Sequence, residues 1–402
     1  MPNVSKQKTS KLKIVFLTRN YPPTICGVGD HTAHLSQEMT KHGAEVHIIC
    51  SADQKVLQQA DLHVHPIVKT WNREGKQTIM QCIQSIQPDW FIVQYVPHAY
   101  HPKGLPFFLV SLYRAVAKQG VSILTVFHEV KIRPEHALKT QIISFLQGYI
   151  AEKLANLSTK LVTSIDFYDD NLKRIPRQKK AIVPIASNIL PIGVNATLKQ
   201  NLKQRYHINA GAKVICTFGD RNVKTYLPIF DRLIEDYPNL VWLLCGKNST
   251  PSVILKSRSY IRYVGEMSAA DIYQHLSLGD VFFMPDPVTE EGQGGTCNKS
   301  GSLACAMSLG IPLVGSKGDM NNQLLINGQN ILLTDIRDST AVYESLKSCL
   351  DSEVLSAQLG KNAHQFYQQH LTWAVTAEQF LKLMYPSVYQ LKIGSKSLMF
   401  NE

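Results

Sequence analysis

Residues 290–316 read EEGQGGTCNKSGSLACAMSLGIPLVGS, and no other stretch indicates the fold so clearly. A glycine-rich loop leads into small and apolar residues, which predict a helix near 296–309. Gly310 is placed to end that helix, and the apolar run 311–316 predicts a buried strand. A loop, a helix and a strand in this order are typical of a parallel α/β sheet.

The same loop is a candidate phosphate site. Backbone N–H groups at the start of a helix are unpaired and carry partial positive charge, so they bind phosphate oxygens. We expect the amides from about 294 to 297, which include Gly294, Gly295 and Thr296, to do this, with Lys299 close by.

Apolar runs of five to seven residues alternate with amphipathic stretches on both sides of this segment, which predicts two parallel α/β sheets. The predicted strands are 13–18, 45–50, 90–95, 122–128 and 160–165, then 213–219, 240–246, 260–265, 280–285, 311–316 and 330–335. Residues 174–196 hold three prolines and little periodicity, which indicates a link. We therefore predict two Rossmann-like domains facing across a cleft, 1–190 and 191–402, with the last helices crossing back to the first domain.

A turn follows the first predicted strand, YPPTICGVGDH at 21–31. Gly27 and Gly29 allow a tight turn and close approach of a ligand to the start of the next helix. Thr32 stands where a dinucleotide fingerprint would have its third glycine, so a dinucleotide site is disfavoured. A plain strand-to-helix turn needs similar residues and stays an alternative.

A second turn, FGDRNVK at 218–224, follows the first strand of the second series. Ligands bind at the carboxyl ends of strands in open α/β sheets. Arg221 and Lys224 are therefore candidates to clamp a pyrophosphate. A solvated loop with incidental charges is the alternative reading.

Two histidines follow strands of the first series. His128 ends LTVFH, and His98 follows WFIVQY. A lone histidine is more often a satisfied polar residue than a catalyst, but both of these lie at the predicted ligand-binding edge. His128 is the stronger candidate for a functional role.

Composition narrows the class of protein. The net charge of +11 favours phosphorylated or other anionic partners, but no nucleic-acid-binding motif is present. The lysines at 6, 8, 11 and 13 indicate either a solvated tail or a contact with an anionic membrane surface. The eight cysteines show no Cys-x-x-Cys spacing, so a metal site is not expected. With no apolar signal segment at the start, we expect a cytoplasmic protein, peripheral at most at the membrane.

Taken in order, these motifs resemble the retaining glycosyltransferases of family 4, which have the GT-B fold. The resemblance rests on the PPTICGVGDH turn, the PIASNI link, the FGDRNVK loop, VGEMSAADIYQHLSLGDVFFMP, AMSLGIPLVGS and NGQNILLTD. It covers about 12–385. It implies transfer of a sugar from a nucleotide-sugar to a glycan, lipid or small-molecule acceptor, with retention and without a metal or other cofactor.

The resemblance also implies roles for individual residues. The first domain would hold the acceptor and the second the nucleotide-sugar. Arg221, Lys224 and the helix start near 295 would neutralise the leaving diphosphate. His128 would contact the donor sugar, and the loop of Gly27 and Gly29 would approach the donor phosphate.

The chain departs from the family at one place. The family pattern has two glutamates eight positions apart, and Cys297 and Cys305 align with them. Glu291, in an EGxG-like context, is then the remaining candidate acid for donor binding. Two alternatives stay open: a catalytically silent sugar- or partner-binding protein, and a GT-B epimerase or phosphorylase.

Overall fold

The computed structural model describes residues 11–53, 55–56, 61–134, 137–247 and 250–385. The chain divides into two compact units, one of residues 1–164, 168–183 and 376–402 and one of residues 165–167 and 184–375. The domain boundary predicted at 190/191, and the acceptor and donor roles given to the two domains, stay predictions. Lys6 and Lys8 of the basic segment lie outside the described residues.

The first unit contains a seven-stranded parallel sheet of order β3-β2-β1-β4-β5-β6-β7. Its strands are β1 (Lys13–Leu17), β2 (Glu45–Ser51), β3 (Leu62–Val68), β4 (Trp90–Tyr95), β5 (Ser122–Phe127), β6 (Lys160–Thr163) and β7 (Lys180–Ile182). The central strands are buried along their length, as a sheet covered on both faces requires. The strand order reverses between β1 and β4, which makes this the switch point where such sheets bind ligands.

The second unit contains a six-stranded parallel sheet of order β10-β9-β8-β11-β12-β13. Its strands are β8 (Val214–Phe218), β9 (Val241–Cys245), β10 (Ile261–Gly265), β11 (Val281–Met284), β12 (Leu313–Ser316) and β13 (Leu332–Thr334). Phe230 stacks on the buried Trp242 with ring centroids 3.6 Å apart, and the Trp242 indole N–H donates to the Thr217 hydroxyl at 3.0 Å. The switch point lies between β8 and β11.

Helices connect the strands and cover the sheets. They are α1 (Gly27–Lys41), α2 (Arg73–Ile86), α3 (Pro97–Tyr100), α4 (Phe107–Ala117), α5 (Leu138–Leu157), α6 (Asp166–Asp170), α7 (Ala196–Arg205), α8 (Leu227–Asp236), α9 (Ser252–Lys256), α10 (Ala269–Leu276), α11 (Gly301–Leu309), α12 (Ser339–Asp351), α13 (Glu353–His370) and α14 (Trp373–Met384). Most of α14, from Thr376, belongs to the first unit. Within the described ranges, no helix is both long and apolar enough to cross a membrane.

The structure differs from the predictions in several elements. β3 was not predicted, because His63, His65 and Pro66 interrupt its apolar run. β7 lies inside 174–196, the stretch interpreted as a link, and α7, which begins where that stretch ends, was not predicted. The helix of the glycine-rich loop is predicted from about 296, whereas α11 begins at Gly301.

Candidate functional site

The first cluster of candidate residues lies at the carboxyl ends of β1, β4 and β5. Gly27 and Gly29 are in the first turn of α1, directly after the loop that follows β1. A side chain at Gly29 would place a Cβ 2.8 Å from the Asn20 backbone oxygen, so glycine lets this helix start pack against the loop. His31, at the start of the second turn of α1, meets the His128 ring edge-on at 5.0 Å between centroids. The structure thus brings His128 to the glycine turn.

His128 is held in one orientation from the side of β4. Its Nε2 lies 2.6 Å from the Gln94 side-chain oxygen. With Gln94 oriented in this way, Nε2 carries the proton and donates it, which leaves Nδ1 as an acceptor. Burial lowers the His128 pKa to about 4, so the ring is neutral at pH 7.

Gln94 is not among the site residues predicted from the sequence. It is 1% exposed, and its side-chain nitrogen has no hydrogen-bond partner among the described residues. Its signal in the sequence is an amide inside the apolar strand WFIVQY, one residue before the strand ends. His98, by contrast, is exposed, and its ring lies over Gly104.

The second cluster lies at the switch point of the other sheet. The loop after β8 turns at Gly219, whose φ is +99°, and the Arg221 side chain folds back to donate to the Phe218 backbone oxygen. Arg221 also forms an ion pair with Asp286, with 3.0 Å between Nη2 and Oδ1. Lys224 is exposed on a short 3-10 helix. Of the two predicted clamp cations, Arg221 is therefore already paired, while Lys224 faces solvent.

The glycine-rich loop does not form the helix start that the sequence predicted. Gly294 and Gly295 have φ of +111° and +96°, which is left-handed backbone rather than helix. Their amides bind within the protein: Gly294 N donates to Asp319 Oδ1 at 2.8 Å and Gly295 N to the Pro287 oxygen at 3.1 Å. Thr296 N likewise donates to the Ser316 oxygen at 3.0 Å. These three amides are therefore occupied in this structure, which corrects their predicted role at a helix N-terminus.

The helix that follows still reaches the predicted phosphate edge, five residues later than expected. Ser300 caps α11, its hydroxyl accepting from Leu303 N at 3.4 Å. The Ser302 hydroxyl lies 3.8 Å from the position that a Cβ on Gly219 would occupy. The start of α11 therefore adjoins the loop after β8. Lys299, one residue before the cap, is exposed.

The two cysteines that align with the family glutamates are interior residues. Cys305 is fully buried among the apolar side chains of the second unit, and burial raises its pKa to about 12. Cys297 is also buried, with its pKa raised to about 11. Both thiols are protonated at neutral pH and pack as small apolar groups. Glu291, the remaining candidate acid, is exposed.

Among the residues that the structure describes, no group of three or more histidine, cysteine, aspartate or glutamate side chains is arranged to hold a metal ion. The positive groups at the second switch point are Arg221, which pairs with Asp286, and the exposed Lys224 and Lys299.

Comparisons with known proteins agree with this architecture. Residues 25–105 match a family described as glycosyl transferase 4-like. No curated protein matches the chain by sequence.

Solved structures match over nearly the whole chain. Anabaena HepE in complex with UDP and glucose has a TM-score of 0.65 at 14% identity, over 93% of this chain and 100% of that one. A glycosyltransferase from Rickettsia africae has a TM-score of 0.68 at 13% identity, over 94% and 98%. UDP-GlcNAc 2-epimerase from Neisseria meningitidis has a TM-score of 0.56 at 14% identity, over 94% and 100%. The chain therefore has the GT-B fold, built from two Rossmann-like domains.

Proposed function

We propose that this protein is a glycosyltransferase that uses a nucleotide-sugar donor. The observation that carries the proposal is the second switch point, where the loop after β8 adjoins the start of α11 at the ligand-binding edge of the sheet. Lys224 follows that loop in the chain, Lys299 precedes that helix, and both side chains are exposed. Support comes from the shared fold with HepE, which was crystallised with UDP and with UDP-glucose. The glycosyl transferase 4-like match of residues 25–105 supports the same class.

In the proposed reaction, the bond from the anomeric carbon to the diphosphate breaks and a bond to an acceptor hydroxyl oxygen forms. The diphosphate leaves with the electron pair of the broken bond, and the proton of the acceptor hydroxyl passes to the departing diphosphate oxygen. We propose that the new bond forms on the same face of the sugar, with retention. Lys224, Lys299 and the α11 amides would stabilise the charge that develops on the diphosphate. The neutral His128 ring would accept a hydrogen bond from a sugar hydroxyl through Nδ1.

Four of the predicted donor-site residues take a different part in this proposal. Arg221 reaches a diphosphate only if it leaves Asp286, so Lys224 and Lys299 carry the first contact. Gly294, Gly295 and Thr296 shape the loop rather than offer amides.

Titration of UDP and UDP-sugars by calorimetry tests the donor site. We expect Lys224→Ala and Lys299→Ala each to weaken binding about tenfold, because each removes a charge-assisted contact to phosphate. Lys361→Ala, an exposed lysine on α13 of the same unit, is the matched control and should bind normally. Absence of binding to the folded wild type at millimolar UDP would favour the silent alternative.

We further propose that the reaction needs no divalent metal, because lysines and helix amides supply the positive charge. Turnover should be unchanged after treatment with a chelator. Loss of activity that manganese restores would contradict this.

Epimerisation of a nucleotide-sugar is the second candidate, because the Neisseria epimerase shares the fold. The products distinguish the two activities. An epimerase converts a UDP-sugar alone into its epimer, whereas a glycosyltransferase releases free UDP only when an acceptor or water takes the sugar.

A further inference from the structure

The solvent face of α5 is apolar where a surface helix is normally polar. Leu138, Ile142, Phe145 and Tyr149 follow each other at intervals of four, three and four residues, so they form one stripe along three turns. Leu138 is 71% exposed and Phe145 73% exposed, and the other two are about half exposed. We call these four residues the α5 stripe. The opposite face of the helix is buried, so the stripe is not part of the core.

Basic side chains border the stripe. A groove of about 410 Å³ runs beside Phe145 and Tyr149, and its charged lining residues are Lys131, Glu152, Lys173 and Arg174. Glu152, the one acid among them, pairs with Arg174 at 3.6 Å. On the helix itself, the Lys153 ammonium lies 5.2 Å from the centre of the Tyr149 ring. The groove therefore carries a net positive charge next to exposed apolar surface.

The basic border is fixed to the helix rather than loosely attached. Ser144 and Gln147 on the buried side of α5 hold Ile132: the Ser144 hydroxyl donates to its oxygen and the Gln147 side-chain oxygen accepts from its nitrogen, both at 2.7 Å. The adjoining Lys131 lies across Gly148, with its Cδ 3.5 Å from the position of a Cβ there. The α5 stripe and the basic side chains beside it are therefore held in a fixed arrangement.

We propose that α5 is an interfacial helix that docks on an anionic lipid surface. An apolar stripe that inserts among acyl chains, flanked by cations that meet lipid phosphates, is the pattern of helices that lie in the membrane plane. The charge of the border selects this occupant over an uncharged apolar partner. This inference does not rest on the proposed function, and it places the contact on α5 rather than on the basic N-terminal segment.

Flotation of the full chain with vesicles tests the proposal. We expect binding to phosphatidylcholine vesicles that contain about one third phosphatidylglycerol, and binding at least about tenfold weaker to phosphatidylcholine alone or in high salt. Leu138→Ser with Phe145→Ser should reduce binding about tenfold, and so should Lys131→Glu with Lys173→Glu. Val354→Ser removes an apolar side chain that is 82% exposed on α13 of the other unit, and should bind as the wild type does. Circular dichroism melting shows that each variant is folded.

A second measurement locates the contact. Phe145→Trp should give a blue-shifted tryptophan emission, relative to the wild type, only when anionic vesicles are added. Binding that persists in the folded stripe variant, or that is lost only in Lys6→Gln with Lys8→Gln, overturns the proposal. The proposal is also overturned if the wild type does not bind vesicles but self-associates through Phe145, since the α5 stripe is then an interface between copies of this chain.

Discussion

Replacing Asp286 with alanine is expected to lower the free energy of unfolding by about 3–5 kcal/mol, the cost of leaving a buried partner charge unpaired. The Arg221 side chain is only 9% exposed and Asp286 22%, so water compensates little of the lost ion pair. Asp286 has a second role, because its other oxygen accepts from the Thr296 hydroxyl at 3.0 Å. It thereby joins the loop after β8 to the glycine-rich loop.

Chemical denaturation of a small set of variants measures this. Asp286→Asn keeps hydrogen-bonding atoms and should cost less than alanine. The double variant Arg221→Met, Asp286→Leu should recover most of the loss, since no charge remains unpaired. Glu378→Ala is the control: its pair with Lys382 is more than 40% exposed on both sides, so its loss should cost under about 1 kcal/mol. An Asp286→Ala protein as stable as this control would show that Arg221 needs no counter-charge.

The same pair bears on donor binding. Arg221 neutralises Asp286 in this structure, so a diphosphate would compete with that carboxylate for the guanidinium. If Arg221 exchanges partners during turnover, Asp286→Asn should bind UDP more tightly than the wild type does, because the competing charge is gone. If Arg221 is purely structural, the two proteins should bind equally.

The strands of both sheets were readable from the sequence because most are buried on both faces and appear as continuous apolar runs, such as KIVFL and VWLLC. β3 was missed because LHVHPIV lies at the edge of its sheet and carries two histidines and a proline. The order of motifs was enough to indicate the GT-B fold.

The site was less predictable because its contacts are remote in sequence. Arg221 and Asp286 are 65 residues apart, and only the adjacency of β8 and β11 brings them together. The left-handed backbone at Gly294 and Gly295 likewise cannot be predicted from the sequence, since glycine is compatible with either a helix start or a turn. Gln94 had a signal, an amide in a buried strand, but its meaning depends on His128 lying on the neighbouring strand.

Stability is expected to fall as the pH is lowered from about 7 to 5, with His128 as a main cause. Its ring contacts Gln94 and His31 and titrates at about 4 in the folded protein because burial penalises the charged form. Burial also lowers the pKa of His31, whose neighbours His128 and His34 lower it further. A histidine in the unfolded chain binds its proton near pH 6.5.

Between those two pH values the unfolded state binds more protons than the folded state, so acid favours unfolding. For His128 alone, the loss of unfolding free energy from pH 7 to 5 is about 2 kcal/mol.

We expect His128→Gln, which keeps a hydrogen-bonding side chain beside Gln94 but cannot titrate, to reduce the pH dependence by that amount. His98→Gln is the matched control, because it makes the same substitution at an exposed histidine of α3, shortly after the neighbouring strand β4. Urea denaturation at pH 7, 6 and 5 gives the pH dependence of the unfolding free energy for the wild type and for each of the two variants. If a folded His128→Gln protein shows the same pH dependence of stability as the wild type, the His128 ring accepts a proton as readily in the folded chain as in the unfolded one. That result would also contradict its assignment as a neutral acceptor for a sugar hydroxyl.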